Sequence, residues 1–490
     1  LFPNNTSGDI SPQDLRDFLV SAVPTGRGST KVVASLDAVT ANPALVGQVD
    51  HVCDGTADDV QIQLAIDALS TYGGIVMLTE GSFDIRATIK VRSLVRLTGQ
   101  GRATILKVAP SDTYDTMDVI QLYDIEQHNV ELDHFEISGR RAAQGASGQH
   151  GIYLDNTDST TTPPNKTISH FIHDIIIDRV KGHGIYLKGY GSAGAETHHR
   201  LYNILVHTVN KTSYYIDTSD SFFVHCHSAK PGENGWIISG PSNQLSNCKG
   251  SLAGQLTIED EDDTACTLGF NFSLRARQIS LANCRSEAGG GGGFEVAGPD
   301  AQLTCCRPHS SGEAGDRRAG FHIKTIGGVE ATSGHRCVMS GCWSGNRNTE
   351  AGTARIQEYG LRVGAGVQDA LWSGGTLSRN FGSDGNSYDG AYLDAGTRTR
   401  ILAAKIVEEK NDETRVERPV ESGGAAPTIA DGGTITHGMF TTPTYVVAIP
   451  SVAGEFVSVT AKGATTFTVA IKKHDGSAGT TQTIYWRAWA

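Results

Sequence analysis

One short phrase returns through the middle of the chain and constrains its fold more than any other feature. It reads Gly151-Ile-Tyr-Leu, Gly184-Ile-Tyr-Leu, Ser213-Tyr-Tyr-Ile, Gly235-Trp-Ile-Ile, Gln255-Leu-Thr-Ile, Gly269-Phe-Asn-Phe, Gly293-Phe-Glu-Val, Gly320-Phe-His-Ile, Gly360-Leu-Arg-Val and Gly390-Ala-Tyr-Leu. The second and fourth places are apolar in every copy, while the third is mostly polar or tyrosine. That alternation is the signature of a strand with one buried face. The copies recur at intervals of roughly 20 to 40 residues, as repeats with surface loops of variable length do. Each copy is expected to be one strand of one coil of a parallel β-solenoid. Such an all-β architecture grows in one dimension, so 490 residues need not divide into globular domains.

Composition removes several function classes. A net charge of −12 argues against a nucleic-acid partner and gives no pull towards anionic membranes. No apolar run reaches membrane-span length, so no membrane insertion is expected. The 58 glycines follow no collagen period and fit many tight turns. Of nine cysteines, Cys226, Cys248, Cys284, Cys306 and Cys342 each end a short stretch of apolar and small residues. No CxxC pair is present, so neither zinc nor disulfides are expected of them. They read instead as a ladder of small buried thiols on a second sheet, which implies synthesis in a reducing cytosol.

Three regions follow along the chain. In residues 1–50, Ser11-Pro-Gln-Asp-Leu-Arg-Asp-Phe-Leu-Val-Ser-Ala-Val predicts an amphipathic helix with Leu15, Phe18, Leu19 and Val23 on one face. Residues 51–417 hold the solenoid. It opens on Cys53-Asp-Gly-Thr-Ala-Asp-Asp-Val-Gln-Ile-Gln-Leu-Ala-Ile-Asp-Ala-Leu, where Thr56 and Asp59 are spaced as a capping box. Ile62, Ala65, Ile66 and Leu69 give the following helix an apolar stripe, and that helix is placed to cover the open end of the solenoid core. Residues 418–490 alternate in runs such as Val457-Ser-Val-Thr and Thr483-Ile-Tyr-Trp, which predicts a small antiparallel β-domain, sandwich-like in build.

The stretch from Cys53 through Gly73-Gly-Ile-Val-Met-Leu and Gly81-Ser-Phe-Asp-Ile to Gly99-Gln-Gly-Arg closely resembles the N-terminal cap and first coil of pectate-lyase-like right-handed parallel β-helices, especially those of phage tailspikes. The resemblance is detailed over residues 51–108 and extends to about 410 in repeat style only. Asn4-Asn-Thr-Ser-Gly-Asp-Ile-Ser-Pro-Gln-Asp-Leu-Arg-Asp-Phe also looks like openings common in phage tail proteins. The resemblance implies a virion protein: a homotrimer joined to the phage tail or baseplate through residues 1–50, acting on a bacterial capsular or other surface polysaccharide. In such proteins a C-terminal unit supports trimerisation or receptor contact.

If the second and fourth places point inward, the third and fifth point outward. The third places include Tyr153, Tyr186 and Tyr215 on consecutive coils; the fifth include Asp155, Lys188, Asp217 and Glu259. Amphipathic ring faces suit sugar binding, although the tyrosines could equally stack on each other or fill a subunit interface. Tyr153, Tyr186, Tyr215, Lys188 and Trp236 are therefore the candidate substrate-binding residues. Asp217, Glu259, Asp220 and Asp155 are the candidate catalytic carboxylates. Asp217 and Glu259 stand two phrases apart, about 10 Å between backbones at a coil spacing of roughly 4.8 Å, and side-chain lean brings such a pair into the range of inverting glycosidases. Turn capping is the competing reading for acids in Asp217-Thr-Ser-Asp220 and Asp155-Asn-Thr-Asp158.

Glu259-Asp-Glu-Asp-Asp263 lacks the glycine of a calcium loop, so neither a metal nor a cofactor is expected. Gly182-His183-Gly184 resembles a polygalacturonase motif, but the paired aspartates and Arg-Ile-Lys of that family have no match here; His183 reads as a turn residue. His198-His199-Arg200 is read as a loop within reach of substrate. Endo-glycosidic hydrolysis is the expected activity. A polysaccharide lyase and a non-catalytic adhesin on the same fold are the alternatives.

Overall fold

The computed structural model describes residues 29–490, apart from 111–116, 125–126, 140–149, 157–167, 190–196, 255–268, 310–318, 326–333, 345–358, 380–391, 395–398, 403–404, 409–415, 420, 438–441 and 490. The helix expected within Ser11–Val23 lies outside them.

The chain winds as a right-handed parallel β-helix in which each coil gives one strand to each of three sheets. One coil runs Val95–Thr98, Thr104–Val108, Ile120–Leu122, and the next begins at Glu131–Asp133. Among the described residues the first sheet has 14 strands, from His51–Val52 to Arg400–Leu402. The second has nine, from Gly81–Ile85 to Arg307–His309, and the third has 11, from Ile89–Val91 to Tyr392–Asp394. The repeated phrase forms the third sheet. Thr30–Ala34 pairs in parallel with Gly74–Leu78, so the first sheet starts upstream of the boundary drawn at residue 50.

Inward places stack into one continuous core. In the third sheet the column changes from aliphatic (Ile152, Ile185) to aromatic, with Tyr214 on Trp236 at 3.8 Å, Phe272 to Phe294 at 4.8 Å and Phe294 to Phe321 at 5.0 Å between ring centres. Identical coil spacing sets these rings in parallel stacks, and each buried ring contributes roughly 1.5–3 kcal/mol by leaving water.

The corner between the first and second sheets is a second regular feature. His134, Asp174, Asn203, His225, Asn247, Asn283, Cys305 and Gly341 all take positive φ there, a conformation that Asn, Asp, His and Gly tolerate best. The next residue on each coil points inward, and from Cys226 to Cys342 that residue is the buried cysteine. The thiol ladder therefore sits in the corner rather than on a second sheet. From Cys248 on, each thiol lies within reach of carbonyls of its own and the preceding coil, as Cys248 Sγ does of Phe223 O at 3.5 Å, while Cys226 reaches Val224 O of its own coil.

The capping helix spans Asp59–Asp67 and buries Ile62, Ala65 and Ile66, with Leu69 just beyond it. Its start differs from a capping box: Asp58 is the N-cap and its side chain makes no cap bond. The acids instead serve the open edges of the first coil. Asp84 N–H donates to Asp58 Oδ2 (2.8 Å), Arg86 N–H to Asp59 Oδ1 (2.7 Å) and Lys90 N–H to Gln63 Oε1 (2.8 Å). Edge groups that a further strand would pair are thus satisfied by side chains of the helix.

Past the last parallel strands, Val416–Pro419 runs antiparallel to Lys405–Glu408. Two three-stranded antiparallel sheets follow, Glu421–Ile429 with Gln482–Trp489 and Tyr445–Pro450, and Thr434–Thr436 with Thr466–Lys473 and Glu455–Lys462. They enclose a separate core of Ile435, Phe467, Val469, Ile471 and Ile484. Among the described residues no helix is long and apolar enough to cross a membrane.

Candidate functional site

The third sheet aligns Tyr153, Tyr186 and Tyr215 on adjacent strands in exact register partnership, followed by Asp155, Lys188 and Asp217. Alternation turns both rows outward. The rings stand 5.2 Å (Tyr153 to Tyr186) and 4.7 Å (Tyr186 to Tyr215) apart and tilt against one another. All three are half-buried. Burial, with the neighbouring Tyr215 and the aspartates, raises the Tyr186 hydroxyl to about 12, so it stays a neutral donor and acceptor.

Two histidines complete the aromatic ridge. His150 and His183 stack at 5.0 Å, and their edges meet Tyr153, Tyr186 and Tyr215 at 5.1–5.6 Å. Backbone groups of the next coil meet their Nδ1 atoms. His183 N–H donates to His150 Nδ1 (2.9 Å), which leaves that ring's proton on Nε2, while His183 Nδ1 lies 3.2 Å from Thr212 N and 3.3 Å from Thr212 O. Burial lowers their pKa values to about 4 and about 3, so both imidazoles are neutral at pH 7. His183 was read as a turn residue. The shared setting of Gln149-His150-Gly and Gly182-His183-Gly was the sequence signal that the two act together.

The two aspartates on the ridge differ. Asp155 Oδ2 accepts from Tyr153 OH (2.7 Å) and from Lys188 Nζ (2.8 Å). The Asp217 carboxylate has no hydrogen-bond partner among the described residues, and burial raises its pKa against the opposing charge of Lys188. Two strands separate them, about 10 Å between backbones. Asp118, missed because Val119-Ile-Gln-Leu lacks the small first residue, lies buried under the same ridge and accepts from His150 N–H (3.0 Å). Asp220 sits elsewhere: at φ 51° in the turn entering the first sheet, in the column of Ser242, Gln278 and Asp300. Its N–H bonds Pro241 O at 3.2 Å, which is the turn position that the capping reading describes.

Other expectations change. Trp236 is fully buried, stacked on Tyr214, and its Nε1–H donates to Lys249 O (3.3 Å); it is core and cannot touch substrate. Ile237 takes the outward place where the tyrosines end. Glu259 and Asp158 lie outside the described residues, as does the Gln255 phrase. The third sheet passes directly from Trp236–Ile238 to Phe270–Leu274, so the strand two above that of Asp217 is Phe270–Leu274. Trp236 pairs with Phe272, which puts Ser273 rather than Asn271 in the outward column. Asn271 is buried and donates to Ser286 Oγ and Glu287 O. At the far end Tyr392 pairs with Leu361, not Arg362. His199 is fully buried too, its Nδ1 accepting from His170 N–H (3.2 Å).

Above Ile237 the outward column closes. Glu295 is 4% exposed, accepts from Ser273 Oγ (2.5 Å) and pairs with Lys324, whose charge holds its carboxyl below the usual range. The open part of the ridge is thus the stretch from Tyr153 to Asp217.

No protein-family description matches the sequence, and no curated protein matches it. Among solved structures, the chain is similar to ORF18 of Geobacillus virus E2, at 15% identity and a TM-score of 0.45, over 86% of this chain and 75% of that one. It is also similar to the A-module of a mannuronan C-5 epimerase from Azotobacter vinelandii (13% identity, TM-score 0.38, 72% and 96% covered). A third is tailspike protein gp49 of the Acinetobacter baumannii bacteriophage Fri1, a capsular polysaccharide depolymerase (12% identity, TM-score 0.38, 94% and 86% covered).

Proposed function

We propose that the ridge from Tyr153 to Asp217 binds a bacterial surface polysaccharide and that Asp217 and Asp155 hydrolyse it. One observation carries the reading: on a floor of tyrosines, a carboxyl raised by burial, with no hydrogen-bond partner among the described residues, faces the same way as an ion-paired carboxylate two strands away. Asp217 would hold the proton and give it to the leaving oxygen, while Asp155 would activate water. A backbone spacing of about 10 Å suits the 6.5–9.5 Å carboxyl separation of inverting glycosidases. Tyr153 and Lys188 hold Asp155 in place, and the rings of Tyr186 and Tyr215 would carry the apolar faces of the sugars. The resemblance of residues 51–108 to phage tailspikes supports placing this activity on a phage tail. Homotrimerisation and attachment through residues 1–50 belong to the same proposal.

A second reading draws on His150 and His183. Neutral imidazoles beside tyrosine hydroxyls, with Lys188 near, could take the proton next to a uronate carboxylate and so support a lyase. Incubation with host polysaccharide separates the readings. New reducing ends without the ultraviolet absorbance of an unsaturated uronate support hydrolysis, that absorbance supports the lyase, and an intact but bound polymer leaves an adhesin. In the hydrolase, Asp217→Asn should lower the rate by roughly 10²–10⁴-fold, the usual contribution of a positioned acid, with polymer binding retained.

A further inference from the structure

A different face of the coil carries a cluster of histidines and carboxylates that the ridge does not use. Glu131, Asp133 and His173 lie on neighbouring strands of the first sheet, with His173 paired opposite Asp133. His134 and Asp174 are the left-handed corner residues that follow Asp133 and His173. The corner conformation stacks His134 and Asp174 on successive coils, so residues 40 positions apart meet.

Carboxylates stand beside both ring nitrogens of each histidine. His134 Nδ1 lies 2.6 Å from Asp133 Oδ1, and Asp133 is itself fixed by Arg96 Nε (2.8 Å) and Thr98 Oγ1 (2.6 Å). His173 Nε2 lies 3.2 Å from Glu131 Oε1. Where each histidine gives a ring N–H to Asp133 or Glu131, the nitrogens left for a metal are His134 Nε2 and His173 Nδ1. Both converge on one oxygen, Asp174 Oδ2, at 3.9 Å and 2.9 Å. Asn203 Nδ2 donates to the other oxygen, Asp174 Oδ1, at 2.6 Å and orients the group.

We propose that His134, His173 and Asp174 bind one divalent transition-metal ion of the zinc class, clipping two successive coils at the corner of the first and second sheets. The three ligand atoms lie within 4.8 Å of one another. Zinc bonds of about 2.0–2.2 Å put neighbouring ligand atoms roughly 3.4 Å apart, between the two separations seen here. Histidine ligands normally give their second ring N–H to a carboxylate, and Asp133 and Glu131 stand at hydrogen-bond distance from His134 Nδ1 and His173 Nε2. His134 is 46% and Asp174 29% exposed in their side chains, which leaves room for an ion to enter and for water as a fourth ligand. No metal is expected from the sequence because the ligands come from adjacent coils, not from one spaced motif.

The test is calorimetric titration of the chelator-treated full chain with zinc chloride. One zinc per chain is expected, with affinity falling as pH drops because the imidazoles must be neutral. His134→Gln, at an exposed corner, and His173→Ala should each weaken binding at least 10-fold. Asp217→Asn and Cys305→Ser, the latter at the exposed thiol, should leave it unchanged. Absence of zinc binding in the unaltered chain, or binding that neither histidine substitution weakens, overturns the proposal. So does a nuclear magnetic resonance titration showing His173 as an imidazolium between Glu131 and Asp174 in zinc-treated protein.

Discussion

Two pairs of stacked histidines do the same backbone work in this β-helix and end in different surroundings. His170 and His199 stack at 4.9 Å and are fully buried. Val130 N–H donates to His170 Nδ1, His170 N–H to His199 Nδ1, His199 N–H to Ser221 Oγ and Ser221 N–H to Asn243 Oδ1. Each side chain thus satisfies a buried N–H of the preceding coil, a ladder that stitches the coils where no sheet does. His150 and His183 form a ladder of the opposite sense, each ring accepting from the next coil, and their rings edge onto three outward tyrosines. A shared scaffold role therefore does not make a histidine functional; the groups facing its second nitrogen do.

The largest effect that could break this comparison is on stability. His199→Ala should cost about 3 kcal/mol, because it leaves a cavity and an unpaired buried N–H. His183→Ala should cost nearer 1 kcal/mol, since water can reach the freed Thr212 N–H, while polysaccharide binding weakens. Urea unfolding and a binding assay on both variants check this; equal costs with unchanged binding would erase the distinction.

Acid sharpens it next. All four rings have pKa values below the ordinary 6.5, because burial disfavours the charged form. Between about pH 6.5 and 4 the unfolded chain binds protons that the folded chain refuses. Stability should therefore fall as pH falls through that window, by up to about 1.4 kcal/mol per pH unit for each ring. Urea midpoints measured across the window should show a shallower slope in His199→Ala by about one ring. An identical slope would mean that the ladder does not hold its rings neutral.

The smallest effect concerns the ridge itself. Tyr186→Ala removes the central ring and should weaken polysaccharide binding by about 1 kcal/mol, roughly five-fold, with the fold intact. Loss of soluble assembly without a change in binding per folded chain would instead mark the tyrosines as a subunit contact.

How much of this was legible follows from parity. Inward and outward alternate with a period of two, so the sheet, its core and the outward tyrosines were readable from Gly151-Ile-Tyr-Leu and its copies. A slip of two residues keeps parity, and Phe270, Phe272 and Leu274 are all apolar, so the hydrophobic pattern could not tell Asn271 from Ser273 as the outward neighbour of Ile237. The Gln255 phrase carries the same alternation and was counted as a coil, which is how Asp217 came to be paired with Glu259, a residue outside those described. Parity also placed Trp236 inward; assigning it to substrate went against its own register. The corner clusters were not legible, because hydrogen bonds between coils join residues whose spacing depends on loop length.

The central claim is that a glycan lies along the ridge with its scissile bond between Asp155 and Asp217. A crystal structure of the Asp217→Asn variant with an oligosaccharide from the host polysaccharide tests it most directly. The account predicts sugar rings against Tyr186 and Tyr215 and a glycosidic oxygen within hydrogen-bond reach of residue 217. An oligosaccharide seated on another face of the β-helix, or on the C-terminal sheets, would contradict it.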